Sequence, residues 1–185
     1  MRLLPLPSGA LRLRLDRDEA EVLEQLIGQL IELLQSHSGT SLDPDPLFAS
    51  LEIGGTESLP DDPALARLFP NAFEADTDAA AFRRVTEQGL VNRKLQDAID
   101  VTSELGLSSR VTEHDATVET DITKTSMPVW VRTLTALRLA IAARIGLKKD
   151  EDHVRLLGED ETRSTIMVYD WLGAILDSIL RMTAD

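Results

Sequence analysis

Asp170 is the residue of this sequence whose type and setting most suggest chemistry. It lies between Tyr169 and Trp171 in VYDWLGAILDSIL, residues 168–180, which is the most apolar helical run of the chain. A carboxylate in such a setting could act as an acid or base, or bind a ligand, because functional sites are enriched in perturbed titratable groups. A buried carboxylate without a partner costs on the order of several kcal/mol, so we expect a cation beside it.

Arg138, in the middle of the other apolar helix, is the best candidate for that partner. Arg144 and Arg163 are weaker candidates. We interpret Asp170 as a structural anchor that pairs with Arg138 inside the core, and a ligand-binding or catalytic acid is the alternative. The aromatic residues expected to pack around this anchor are Tyr169, Trp171 and Trp130.

The other residue types that carry out chemistry are absent or unsuitably spaced. The chain has no cysteine, which excludes disulfides, thiolate catalysis and cysteine-based zinc sites. His37, His114 and His153 fall in predicted loops without metal-ligand spacing, so we interpret them as solvated. No phosphate loop, calcium loop or Gly-x-Ser-x-Gly motif occurs. We therefore predict no enzymatic activity, no catalytic or metal-binding residue and no cofactor.

A basic stripe near the start of the chain could contact nucleic acid or another partner. It consists of Arg12, Arg14 and Arg17. Neighbouring acids weaken the positive field that phosphate binding needs, so we favour the solvent face of a strand. These acids are Asp16, Asp18 and Glu19.

The charge of the chain opposes binding to a phosphate backbone. The sequence holds 32 acidic and 19 basic residues, a formal net charge of −13. Residues 43–121 contribute 17 acids and 6 bases, so this middle part is the most acidic. Such a balance favours partners with basic surfaces. No window approaches the roughly 20 apolar residues of a membrane span, and the first residues do not resemble a signal peptide, so we expect a cytoplasmic protein.

The first elements are predicted to be a strand and a helix. Residues 11–15 alternate leucine and arginine, the period of a half-buried strand. Its partner is either residues 2–6, folded back as a hairpin, or another copy of the protein. Asp16 followed three residues later by Glu19 resembles a capping box, and leucines at helical spacing continue to about residue 36.

Further helices are predicted along the rest of the chain. A short one begins with Asp62 as N-cap and Pro63 at the first position. Three long ones follow, at about residues 77–105, 126–146 and 162–182. The apolar stripe of the first of these is expected to contain Phe82, Val85, Leu95, Ile99 and Thr102.

The predicted fold is mainly α, with about four main helices and a short one. We expect a single helical domain over residues 1–185, with a small β element at residues 1–15. Residues 37–61 and 106–125 are predicted flexible loops, the second with room for one short extended piece. Residues 147–161 are predicted to be a further loop.

A resemblance to a known family rests on four stretches, which are GALRLRLDRDEAEVLEQLIGQLIELL, DPALARLFPNAF, TALRLAIAARIG and YDWLGAILDSIL. The sequence resembles the actinobacterial uncharacterised-domain family that is encoded beside the ClpS adaptor and includes AosR-like proteins, the actinomycete oxidative stress regulators. The resemblance implies a cytoplasmic, mostly helical, non-enzymatic regulator. The redox-active form of that family uses a cysteine pair and a sigma factor, and the cysteine switch does not transfer to a chain without cysteine.

Three functions are therefore compared. The first is a regulatory protein that acts by binding another protein in transcription or stress response. We expect its partner, such as a sigma factor or another transcription protein, to have a basic surface. A homodimer is one expected assembly. The second is a DNA-binding regulator that uses the N-terminal arginines. The third is a small-molecule binder between the last two helices, near Trp130, Asp170 and Trp171. Unpaired polar groups in a cavity there would favour it, and a packed Asp170–Arg138 pair would oppose it.

Overall fold

A computed structural model describes residues 1–38, 58–107 and 117–183. These residues form three strands and six helices, so the prediction of a mainly α fold is confirmed, with more elements than expected. None of the described helices combines the length and the hydropathy needed to cross a bilayer. The strands are β1 (Arg2–Pro5), β2 (Leu11–Asp16) and β3 (Thr117–Ile122); the helices are α1 (Arg17–Ser38), α2 (Pro63–Leu68), α3 (Asp76–Leu105), α4 (Met127–Arg144), α5 (Asp150–Gly158) and α6 (Asp160–Thr183).

The strands form one antiparallel sheet in the order β1–β2–β3. Alternation in β2 puts Leu11, Leu13 and Leu15 into the core and leaves the arginines between them on the outer face. Of the two predicted partners of β2, the hairpin with residues 2–6 is present, with pairing over residues 2–5, and Gly9, with φ of +78°, provides the turn. The other edge of β2 pairs with β3, the short extended piece of the predicted second loop.

The N-terminus of α1 has the predicted capping box. The Asp16 carboxylate accepts from the Glu19 backbone N–H at 2.8 Å, and the Glu19 carboxylate accepts from the Asp16 N–H at 3.0 Å. Two otherwise unpaired backbone donors are thereby satisfied. The predicted cap of α2 is also present, since the Asp62 carboxylate accepts from the N–H groups of Ala64 and Leu65.

The buried face of α3 differs from the predicted stripe. Phe82 and Val85 are exposed, and the adjoining buried positions hold Arg83 and Glu87, whose side chains are 5% and 4% exposed. The Arg83 guanidinium donates to the Phe69 carbonyl and the Asn71 side chain. Arg83 is therefore not a solvated charge of the helix surface, because its side chain is buried and its partners Phe69 and Asn71 lie before α3.

The Glu87 carboxylate also contacts the first histidine. His37 belongs to α1 rather than to a loop, its Nε2 lies 2.6 Å from the Glu87 carboxylate, and its ring stacks on Phe69. The predicted solvated loop histidine is thus a half-buried residue that connects α1 to α3. His114 and most of the two predicted loops, residues 39–57 and 108–116, lie outside the described residues.

The last three helices surround the region in which a site was predicted. α4 packs against α2, α3 and α6, and α5 packs against α6. α4 ends before Gly146, whose φ of +71° starts a new direction of the chain. The predicted loop over residues 147–161 contains α5, of which Leu156 is the buried residue. This helix forms one side of the cleft described below.

Candidate functional site

Asp170 lies on the surface of α6 and pairs with a histidine. Its carboxylate is 49% exposed, and the two oxygens lie 2.9 and 3.0 Å from Nε2 of His153 on α5. The prediction that Asp170 is buried beside Arg138 was wrong. The reason is that α5 covers this side of α6, and a polar residue at the edge of that contact reaches both His153 and solvent.

Arg138 instead stacks on an aromatic ring. The guanidinium carbon lies 4.2 Å from the centroid of the Tyr169 ring, a distance typical of cation–π contacts. Its Nε is buried and has no hydrogen-bond acceptor among the described residues. No described carboxylate forms an ion pair with this side chain either. The Arg138 side chain lines an open cleft.

The absence of a side chain at Gly173 allows Arg138 to lie against α6. Gly173 follows Tyr169 by one helical turn, so both lie on the same side of α6. A Cβ at position 173 would lie 3.1 Å from Cζ and 3.3 Å from one terminal nitrogen of Arg138. The guanidinium therefore rests between an aromatic ring and bare backbone, which fixes the plane in which its terminal nitrogens can bind a ligand.

The cleft in front of Arg138 has a volume of about 580 Å³ and lies between α2, α4, α5 and α6. Four permanent cations line it, against two carboxylates, one of which is Asp170. This is a local excess of positive charge on a chain with a net charge of −13. The charged residues that line the cleft are Arg67, Arg138, Lys148, Lys149, Asp150 and Asp170, and His153 also lines it.

Two further cations of the cleft lack carboxylate partners. Neither Arg67 nor the Lys148 ammonium forms an ion pair with any residue in the described part of the chain. Lys149 has only a distant carboxylate, with 3.7 Å between its Nζ and Glu151, and both side chains are largely exposed. Such an exposed pair contributes little, so these cations can bind an added anion.

A carboxylate outside the cleft holds the two lysines in place. One oxygen of Asp152 accepts from the backbone N–H groups of Lys148 and Lys149, each at 3.1 Å. These hydrogen bonds, first the one from Lys148, lower the pKa of Asp152. The connection between α4 and α5 is thus tied to the first turn of α5, with both lysines at the cleft.

A comparison with known families gives one match. The model of a domain of unknown function, DUF2017, matches residues 2–183. The chain belongs to the DUF2017 family. No curated protein and no solved structure matches it. The predicted resemblance to an uncharacterised-domain family is confirmed at this level, and its actinobacterial, ClpS-adjacent and AosR-like details stay predictions.

The remaining predicted anchors of this DUF2017 chain lie outside the cleft. Trp130 is fully buried, and its Nε1 donates to the Glu104 carboxylate at 2.6 Å. Trp171 lies on another side of α6, where Met167 and Val168 accompany it. The structure thus brings Arg138, Tyr169 and Asp170 to one cleft and leaves both tryptophans elsewhere.

The N-terminal arginines of the DUF2017 chain are paired with carboxylates. Arg12 donates to Asp121, with 2.7 Å between Nε and the nearer oxygen, which raises the pKa of Arg12 and lowers that of Asp121. Arg14 pairs with Glu119 at 2.7 Å. Arg17 pairs with an acid one turn later in α1 at 2.8 Å. A nucleic-acid phosphate would have to displace each of these carboxylates, so the three arginines are not preorganised to bind nucleic acid.

Several functional candidates in the cleft were not identified from the sequence. A visible signal was the segment KKDEDH, residues 148–153, where two lysines precede three acids, an order that suits a helix start. Gly173 had no signal, because its role depends on a neighbouring helix. In the described part of the chain, no group of three or more His, Asp or Glu residues could hold a metal ion. The residues missed are Arg67, Lys148, Lys149, His153 and Gly173.

Proposed function

We propose that this DUF2017 protein is a non-enzymatic regulatory protein that binds a small oxyanion ligand in the cleft of Arg138. The observation that carries this proposal is the Arg138 guanidinium, stacked on Tyr169 and without a carboxylate partner in the described residues. Arginine binds carboxylates and phosphates through paired N–H donors, and a fixed plane favours such binding.

An arginine without an ion pair is unexpected in so acidic a chain, which supports a role for Arg138 in binding an anion. Carboxylates outnumber cations, and other arginines, such as Arg12 and Arg132, are paired with them. The buried Nε of the half-buried Arg138 guanidinium has lost its hydration without gaining a hydrogen-bond acceptor among the described residues. An anion from solution would supply the missing charge, and the neighbouring Arg67 and Lys148 would add to its attraction.

Calorimetric titration with inorganic phosphate and with benzoate at low ionic strength tests the proposal. The wild type should bind, and Arg138→Met should weaken binding about 10- to 100-fold, the value of one charge-assisted contact. Arg84→Met is the matched control, because Arg84 is exposed on α3 and does not line the cleft. If all three proteins bind phosphate equally, or if none binds either phosphate or benzoate, the proposal fails.

A protein partner is the second candidate function. An apolar groove lies between α1 and α6, lined by Val22, Met167, Val168 and Trp171, with Asp18 at its rim. Met167 is 60% exposed, and Asp18 has no ion pair in the described part of the chain. We propose that the occupant is a basic, partly apolar segment of another protein, since the groove is apolar and its surroundings are acidic.

Affinity capture from cell extract tests the groove, using Met167→Asp and, as control, Val154→Asp, which changes an exposed residue of α5. The partner is identified, purified and titrated against NaCl concentration. Loss of this partner with Met167→Asp but not with Val154→Asp, together with weaker binding at high salt, supports the proposal. Equal binding by both variants contradicts it.

The resemblance adds a biological setting to these proposals. We propose a cytoplasmic role in transcription-associated stress regulation, with a sigma factor or another transcription protein as the partner. Because the chain has no cysteine, occupancy of the cleft takes the place of the thiol switch as the signal. A homodimer stays a prediction, which light scattering can measure. The paired state of Arg12, Arg14 and Arg17 makes direct DNA binding the least supported alternative.

A further inference from the structure

The cationic cleft also has an apolar wall. Four aliphatic side chains line the same space as the arginines and lysines, and none of them is fully exposed. The volume of about 580 Å³ lies in the range of pockets for whole organic ligands, whereas a single water occupies about 30 Å³. An inorganic oxyanion would leave most of the cleft hydrated. The aliphatic residues are Leu139, Ala142, Leu147 and Leu176.

Cationic and apolar residues are neighbours in two of the segments that line the cleft. On α4, Leu139 directly follows Arg138, and after α4, Leu147 directly precedes Lys148. α4 and the segment that follows it therefore each supply both a cation and an aliphatic side chain to the cleft. A ligand whose oxyanion lies on Arg138 would have its remaining atoms within the same apolar wall.

Two carboxylates in the cleft limit how much negative charge a bound ligand can carry. Asp150 lines it without an ion pair in the described residues, and Asp170 is held there by His153. A ligand with several anionic groups would bring one of them close to these acids, and like charges repel. The cleft thus suits one anionic head on an otherwise apolar molecule.

We propose that the ligand is an organic oxyanion with one anionic head, a phosphate monoester or a carboxylate, on an aromatic or aliphatic body. This inference rests on the proposed oxyanion binding at Arg138 and adds the chemical class of the ligand. The head binds the terminal nitrogens of Arg138, and the body packs against Leu139, Leu147 and Leu176.

Calorimetric titration with inorganic phosphate, methyl phosphate, phenyl phosphate and benzoate tests the class. Affinity should rise from inorganic phosphate to phenyl phosphate by about tenfold or more, because each buried methylene-sized unit contributes roughly fourfold. Phenyl phosphate and benzoate carry the same ring, so their relative affinities identify the head as phosphate or carboxylate. Either order supports the inference when both bind more tightly than inorganic phosphate.

Two variants locate the apolar contact. Leu147→Ser should reduce the affinity for phenyl phosphate about tenfold and leave inorganic phosphate binding unchanged. Leu157→Ser, at an exposed position of α5 outside the cleft, should change neither. Circular dichroism checks that both variants remain folded.

The outcomes separate the two proposals. If inorganic and phenyl phosphate bind equally in the wild type, the ligand class is wrong while oxyanion binding stands. If folded Leu147→Ser binds phenyl phosphate like the wild type, the apolar wall is not used and the inference is overturned. If none of the four probes binds, the proposed function and the inference fall together.

Discussion

Arg138 of α4 and Tyr169 of α6 are stacked, with 4.2 Å between the guanidinium carbon and the ring centroid. The contact connects two helices by a cation on an aromatic face instead of an ion pair. It leaves Arg138 without an ion-pair partner in the described residues. Whether this charge is accessible depends on the glycine that lies against the guanidinium.

Gly173→Ala should reduce anion binding without unfolding the protein. A Cβ would lie 3.1 Å from Cζ of Arg138 and push the guanidinium away from α6. We expect phosphate affinity to fall about threefold to tenfold, consistent with the partial loss of a charge-assisted contact. Calorimetric titration and thermal melting of the same samples measure both effects.

Gly89→Ala is the matched control, because no atom lies within 4 Å of its added Cβ. It should stabilise the protein by about 0.5–1 kcal/mol through helix propensity alone. Gly173→Ala should gain less stability than this. Equal stabilisation and unchanged phosphate affinity in both variants would show that Arg138 does not depend on Gly173.

Asp170→Leu should cost little stability and strengthen anion binding. The carboxylate is half exposed, and its partner His153 remains solvated after the change, so the cost should stay within about 1 kcal/mol. Removal of a negative charge from the cleft should raise phosphate affinity. Chemical denaturation and phosphate titration measure the two quantities.

Asp97→Leu provides the comparison with a buried acid. Asp97 accepts from Arg132 at 2.6 and 2.7 Å and is itself buried. Its replacement should cost about 2 kcal/mol or more, because it removes two charge-assisted hydrogen bonds. A loss for Asp170→Leu as large as that for Asp97→Leu would mean that Asp170 is buried after all.

Local chemistry made part of the fold predictable. The Asp16–Glu19 capping box, the Asp62 cap and the alternation of β2 each depend on residues within about four positions. The structure confirms all three. β3 was predicted only as a short extended piece. It becomes a strand by pairing with β2, which lies about 100 residues earlier in the chain.

The cleft could be predicted only in part, for a geometric reason. Arg138 and Asp170 were placed on the correct helices, but each residue step turns a helix by 100°. The neighbouring residue Tyr169, not Asp170, therefore faces Arg138. α5 was missed because it has a single buried residue, Leu156, so its sequence shows almost no repeat of apolar residues at helical spacing.

Arg83→Met should be among the most destabilising substitutions in the described part of α3. It would leave the buried Glu87 with less positive charge and the Phe69 carbonyl without its donor. Loss of one partner of a buried ion pair costs about 3–5 kcal/mol. Arg84→Met, at the next and exposed position, should remain within about 0.5 kcal/mol. Similar urea midpoints for the two variants would contradict the buried network.

Acidification should loosen α5 through Asp152. Hydrogen bonds from the backbone N–H groups, first that of Lys148, lower the pKa of Asp152 in the folded state. A lowered folded-state pKa adds stability above the unfolded value of about 3.9, and this stability is lost as the pH falls through the folded value. Amide hydrogen exchange in α5 should therefore accelerate, after correction for intrinsic rates, below about pH 4.

Asp152→Asn should accelerate exchange in α5 already at neutral pH and weaken phosphate binding, because a neutral amide oxygen accepts from the backbone N–H groups of Lys148 and Lys149 more weakly than the carboxylate does. Asp121→Asn is the control. Asp121 also has a lowered pKa, but its hydrogen bond to Arg12 lies in the sheet. It should change exchange in β2 and β3 and leave α5 unaffected. If α5 exchanges equally in the wild type and in Asp152→Asn at every pH, this carboxylate does not hold the lysines at the cleft.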